Sequence, residues 1–130
     1  MKCLVVDDEP TQGKLISIWL KSFGHESEVC QGGYEAIKCL QQRVFDLLIT
    51  DLAMPEMSGI KLATYVETKY DIPIIIVTGY DQYVTDALNF WFVFFKPQGR
   101  REFKELLEAV EIWMKRKEMR KEDNQLKQIS

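Results

Sequence analysis

Histidine is almost missing from this chain: among 130 residues there is one, His25. A lone imidazole excludes a histidine-built metal centre, and its place after Gly24 marks a surface turn residue. Cysteine is scarce too. Cys3, Cys30 and Cys39 show no CxxC or CxxH spacing, so they are expected as reduced, small, buried hydrophobes. Long apolar runs are absent. None approaches the roughly 20 residues of a bilayer-crossing helix. The start, Met1 to Asp7, is too short and too soon acidic for a signal peptide. A cytoplasmic location is the expectation. A basic footprint for nucleic acid is also lacking. Residues 1–99 carry 8 basic and 13 acidic groups, and residues 100–130 carry 9 and 7. The cluster at Lys115, Arg116 and Lys117 is followed by acids and reads as a solvated helix face.

What remains is an ordinary globular composition, 46% apolar, at a length suited to one domain with a real core. Five apolar runs alternate with helical patterns. Lys2 to Val6 is a short strand ending in Asp7-Asp8-Glu9, and Pro10 suits the start of a helix. Leu15, Ile18, Trp19 and Phe23 fall at helical spacing and are expected as the buried stripe of that first helix. Glu26 to Cys30 is a more polar strand. A helix from about Tyr34 to Gln42 turns Ala36, Ile37 and Leu40 inward. Phe45 to Thr50 is apolar on both faces, the mark of a central parallel strand, and runs into Asp51. A helix from Ser58-Gly59 to about Lys69 follows. Then come the strand Ile74 to Val77 ending in Thr78-Gly79, a short helix from about Gln82 to Asn89, and the strand Trp91 to Phe95 ending in Lys96-Pro97. After Gly99 a last helix places Phe103, Leu106, Leu107, Val110, Trp113 and Met114 on one stripe. Beyond Met114 the stripe fades. The tail reads equally as a frayed helix, the start of a coiled coil or a linker. Regular alternation of this kind argues for an α/β parallel sheet with helices on both faces.

In such a sheet the carboxyl ends of the strands share one edge, where ligands bind. The ends of strands one, three, four and five supply Asp7-Asp8, Asp51, Thr78 and Lys96. Three crowded carboxylates repel, and a hard divalent cation relieves them. Mg²⁺ takes oxygen ligands and commonly joins one or two carboxylates to a phosphate. An ammonium and a hydroxyl suit phosphate oxygens. One carboxylate is then free to attack phosphorus.

The set Asp7-Asp8, Asp51 with Met54-Pro55 and Gly59 downstream, Thr78, and Lys96-Pro97 resembles the receiver domain of two-component response regulators. The resemblance spans residues 1–115 and leaves 116–130 as a charged helical tail or linker. It implies a flavodoxin-like five-stranded parallel sheet of order 2-1-3-4-5. It implies that Asp51 accepts a phosphoryl group from a phosphohistidine of a sensor histidine kinase or phosphotransfer protein. Mg²⁺ would be held by Asp8, Asp51 and the backbone carbonyl of Ala53, with Asp7 acting mostly through water. Lys96 would pair with Asp51 and then with the phosphoryl group, and Thr78 would be the switch hydroxyl. A cis peptide between Lys96 and Pro97 is expected as well. Partners would be the kinase and a downstream effector domain or protein. If the tail continues the last helix, a homodimer through both, as a linker coiled coil, is a further expectation. No membrane and no direct nucleic-acid contact are expected.

The chain departs from the family pattern in places. Three residues before the lysine, where receivers carry Tyr or Phe, stands Val93, with Phe92 and Phe94 on either side. In a strand these neighbours face the other way. The link from Ala87 to Lys96 is about two residues short against the family pattern, and its usual Gly-Ala is missing. Either the fourth helix packs differently, or Tyr80 or Tyr83 replaces the ring, or output uses another surface.

Three other functions compete. A Mg²⁺-dependent phosphohydrolase with an aspartyl-phosphate intermediate would want a second aspartate two residues after the nucleophile, where Ala53 stands. A flavin carrier would want a Ser-, Thr- and Gly-rich phosphate loop where Asp7-Asp8-Glu9 stands. A receiver-like adaptor that works without phosphorylation is favoured only by Val93. A signalling switch, promoting its own phosphorylation and dephosphorylation but turning over no substrate, fits the full set. Ala53 and Tyr80 occupy the positions that tune dephosphorylation in the family, and neither can orient a water as an acid or amide does. Tyr80→Glu should therefore shorten the lifetime of the phosphorylated protein in Mg²⁺. An unchanged decay rate would discard this role.

Overall fold

The computed structural model describes residues 1–79, 90–96 and 98–129. The five strands are β1 (Lys2–Val6), β2 (Glu26–Cys30), β3 (Leu47–Asp51), β4 (Ile74–Thr78) and β5 (Phe92–Phe95). All neighbours pair in parallel, in the order β2-β1-β3-β4-β5. This is the flavodoxin-like sheet implied by the alternation and the resemblance. The described helices are α1 (Pro10–Ser22), α2 (Gly33–Gln42), α3 (Gly59–Lys69) and α4 (Arg100–Ile129). The expected helix around Gln82 to Asn89, Tyr80, Tyr83 and the Lys96–Pro97 peptide lie outside the described residues.

Two compact units divide the chain, Met1–Gln98 and Gly99–Ser130. In the first, Leu47, Leu48, Ile49 and Thr50 of β3 are completely buried, as are Ile75 and Ile76 of β4. Strands covered on both faces need such unbroken apolar runs. Cys30 and Cys39 belong to the same core, with Ala36 and Leu40 of α2 and Leu62, Ala63 and Val66 of α3. All three cysteines are buried, as their spacing suggested. Burial pushes the Cys30 thiol up to about 12, so it stays protonated and inert. His25 does not lie in the turn itself but follows it, after Phe23 and Gly24, the glycine at φ +87°. The histidine is half-buried, with Nδ1 2.9 Å from the α-amino nitrogen of Met1.

The first helix corrects the sequence reading. Its buried residues are Gly13, Ile16 and Leu20, whereas Leu15 and Ile18 are 41% and 54% exposed. Apolar residues at Leu15, Ile16, Ile18, Trp19 and Leu20 spread over somewhat more than half of the helix's circumference, so two stripes compete. Gly13 decides between them. A Cβ there would lie 2.8 Å from a methyl of Val29, so the helix approaches β2 on the face that carries glycine. A second correction falls in α4, where Phe103, Leu107 and Val110 are buried but Trp113 is 41% exposed. The tail resolves as helix: α4 continues without a break to Ile129.

The loop after β3 is fixed by a close approach. The Gly59 amide donates to the Leu52 carbonyl at 2.8 Å, and Ser58 caps α3 by accepting from the Lys61 amide at 3.2 Å. A Cβ at Gly59 would collide with the carbonyl of Asp51. Both sides of that collision are backbone and cannot swing away. Gly59→Ala should therefore destabilise the protein by on the order of 2–3 kcal/mol. It should also disturb Asp51 itself. The urea midpoint of unfolding measures the first effect, and an unmoved midpoint would show that the loop relaxes freely.

Candidate functional site

Parallel pairing brings the strand ends to one edge. Asp51 is the last residue of β3 and pairs with Val77 of β4. Asp7 and Asp8 follow β1, and the Asp7 amide is tied to the Cys30 carbonyl of β2 at 3.0 Å. Oxygens of Asp7, Asp8 and Asp51 all come within 4.8 Å of one another. Lys96 follows β5 and sets its Nζ 3.4 Å from Asp51 Oδ1 and 4.0 Å from Asp7 Oδ2. Thr78 ends β4 and is buried. Its carbonyl accepts from the Lys96 amide at 2.7 Å. Ala53 lies exposed in the loop two residues past Asp51. Thus Asp7, Asp8, Asp51 and Lys96 are brought into one cluster, and Thr78 stands at the adjoining strand end.

The electrostatics are lopsided. Burial is the largest influence on Asp51 and pushes its carboxyl up to about 6; Lys96 opposes this, while Asp7 and Asp8 add to it. Burial also raises Asp7, against the Glu9 amide and Lys96, which lower it. Lys96 is the largest charge effect on Asp51, yet it does not offset the cost of burying the carboxylate. Asp7 Oδ1 accepts from the Glu9 amide at 2.9 Å, but its buried Oδ2 has no hydrogen-bond partner among the described residues, only Lys96 Nζ at 4.0 Å. An orphaned anionic oxygen inside an all-oxygen donor set is what a hard cation such as Mg²⁺ would satisfy.

β5 shows what the departure from the receiver pattern does to packing. Val93 and Trp91, two residues apart, both pack against the core cluster of α2 and α3. Phe94 is buried and meets Trp19 of α1 edge-on, with centroids 6.2 Å apart. The face that lacks an aromatic ring at Val93 therefore carries one at Trp91. The sequence reading missed this residue, although strand period two points to it. Its indole nitrogen is buried and has no hydrogen-bond partner among the described residues.

A pH effect follows from Asp51. Its folded carboxyl titrates near about 6 against an ordinary 3.8, so the folded state holds the proton more tightly than the unfolded chain. The group's favourable contribution is complete below the unfolded value and is lost as pH rises through the folded one. In chelator, Asp51→Asn should be more stable than the parent at pH 7, by on the order of 2 kcal/mol. The advantage should shrink as pH falls towards about 4. Thermal unfolding of both proteins across that range checks it, and equal stability at pH 7 would refute a cost of burying the charged Asp51 carboxylate.

A family model described as the response regulator receiver domain matches residues 3–112. The two-component response regulator ARR11 of Arabidopsis thaliana is 36% identical over 80 residues, which is 60% of this chain and 15% of that protein. The signal transduction histidine-protein kinase BarA of Escherichia coli K12 is 32% identical over 83 residues, 62% of this chain and 9% of that protein. The chain thus spans a small part of the curated relatives it matches. A crystal structure of the response regulator TrrA from Thermotoga maritima, in complex with Mg²⁺ and BeF, superposes with a TM-score of 0.77 at 32% identity. That match covers 84% of this chain and 97% of the other. In this chain the matching fold gathers an acidic pocket at its sheet edge. By the extent of the family match, and by the fold beneath it, this chain belongs to the response regulator receiver domains.

Proposed function

We propose that this receiver takes a phosphoryl group onto Asp51 from a phosphohistidine of a sensor histidine kinase or phosphotransfer protein, in a Mg²⁺-dependent step. The observation that carries the reading is Lys96 Nζ at 3.4 Å from Asp51 Oδ1, with Asp7 and Asp8 beside them. An Asp51 oxygen forms the new bond to phosphorus as the phosphorus–nitrogen bond to the histidine breaks. The electron pair of that bond leaves on the ring nitrogen. Mg²⁺, when bound, neutralises the phosphoryl oxygens. Asp8, Asp51 and the Ala53 carbonyl would hold it, with Asp7 acting mainly through water. Lys96 stays with the developing negative charge, and the Thr78 hydroxyl donates to a phosphoryl oxygen.

The acyl phosphate adds roughly −1.5 to −2 charge at the sheet edge. That is the physical input of a switch whose output is a conformational bias, not a released product. Receiver domains are typically non-enzymatic signalling modules, and Ala53 offers no acid for steady turnover. In this reading the receiver occupies residues 1–115, and the charged segment 116–130 leads to an effector domain or partner. The last helix is the surface for a second copy of the chain. No described helix is long and apolar enough to cross a membrane.

Acetyl phosphate or phosphoramidate should label the parent protein in Mg²⁺. Asp51→Asn should reduce labelling to background while the circular dichroism spectrum is unchanged. Excess chelator should do the same to the parent. A mutant that labels like the parent would remove Asp51 as acceptor, and full labelling in chelator would remove the metal.

A further inference from the structure

The last helix carries two stripes. Phe103, Leu107 and Val110 are buried. At about 100° per residue, Ile112 projects about half a turn away from Phe103. There it starts a second stripe that continues through Met119 and Leu126 at a strict heptad interval. These three are 52%, 63% and 64% exposed. A heptad drifts by only about 20° around a straight helix, so the three side chains stay nearly in line. This is one apolar residue per heptad, half of a full coiled-coil seam, and charged residues hold the seam positions between them.

The charges between them have an order. Lys115 and Arg116 fill the gap from Ile112 to Met119, and Glu122 and Asp123 fill the gap from Met119 to Leu126. All four are exposed. From its start the stripe therefore reads apolar, basic, methionine, acidic, apolar. Reversed about Met119, each basic pair meets an acidic pair and each apolar end meets an apolar end. In register and parallel, by contrast, Lys115 and Arg116 would face their own copies, and so would Glu122 and Asp123. Like charges directly opposed are destabilising, and complementary ones select orientation more than they add affinity.

We infer that this face docks a second copy of the chain antiparallel to the first, related by a two-fold axis through Met119. Ile112 then packs on Leu126 of the second copy, Met119 on Met119, and the basic pair on the acidic pair. The interface is isologous, as two-fold dimers require. The inference rests on the reading of the last helix as a self-association surface and adds its direction. Three apolar layers make a small contact, so the dimer's dissociation constant is expected between about 10 μM and 1 mM chain.

Sedimentation of the full chain over that range should show a monomer–dimer equilibrium. Met119→Glu should weaken it at least tenfold, and so should Lys115→Glu combined with Arg116→Glu. Orientation is read separately. Chains carrying Ile112→Cys and chains carrying Leu126→Cys are mixed in equal amounts and oxidised, with the parent and its buried cysteines as control. The mixed 112–126 disulfide should exceed the two symmetric ones severalfold. Symmetric disulfides in excess would keep self-association but overturn the antiparallel order. A trimer would likewise keep self-association and overturn the two-fold arrangement, whereas a monomer throughout would overturn the self-association reading with it.

Discussion

Three carboxylates and one ammonium share the carboxyl edge of this sheet, and the rest of the structure serves to hold them there. Left in water, Asp7, Asp8 and Asp51 would separate. Here each is fixed by a strand that cannot shift without losing its core. β1 and β3 contribute almost nothing but buried apolar side chains along their lengths. Their pairing register delivers the acids to within 4.8 Å of one another. Hydrophobic burial thereby sustains an electrostatic arrangement that is unfavourable in itself. The raised carboxyl of Asp51 reflects first its burial and then its acidic neighbours, and the Asp7 oxygen without a hydrogen bond marks where a cation would answer them.

Much of this was legible in the chain because parallel sheets write themselves in strong signals. A strand buried on both faces must be continuously apolar, and the residue where that run stops is the residue at the edge. Asp51 and Lys96 could be placed in this way from sequence alone. Thr78 could too. The first helix was less legible. Five apolar residues spread over more than half of its circumference, and periodicity alone cannot say which of two stripes a helix buries. The answer came from the absence of a side chain at Gly13, a close approach that spacing rules do not score. The tail was ambiguous for another reason. Sparse apolar residues among alternating charges satisfy a solvated helix and a linker equally, and only the continuous backbone to Ile129 distinguishes them.

Val93 shows the limit of reading by resemblance. The family pattern directs attention to one strand position, and the substitution there looks like a loss. In the fold, side chains two apart share a face, so Trp91 supplies aromatic surface to the core region that Val93 also touches. Whether a ring is present on a face is a property of the strand and its register, not of one column in a pattern.

The short bond from the Lys96 amide to the Thr78 carbonyl carries a mechanical consequence. Thr78 and Lys96, the residues that under the proposed function would meet fresh charge on Asp51, are joined by one rung between the ends of β4 and β5. A pull on the ammonium is transmitted to the backbone that bears the hydroxyl, and the reverse holds too. Under the proposed function, sensing at this edge would be a concerted displacement of one backbone couple, with an amplitude limited by how far that rung can stretch before it breaks.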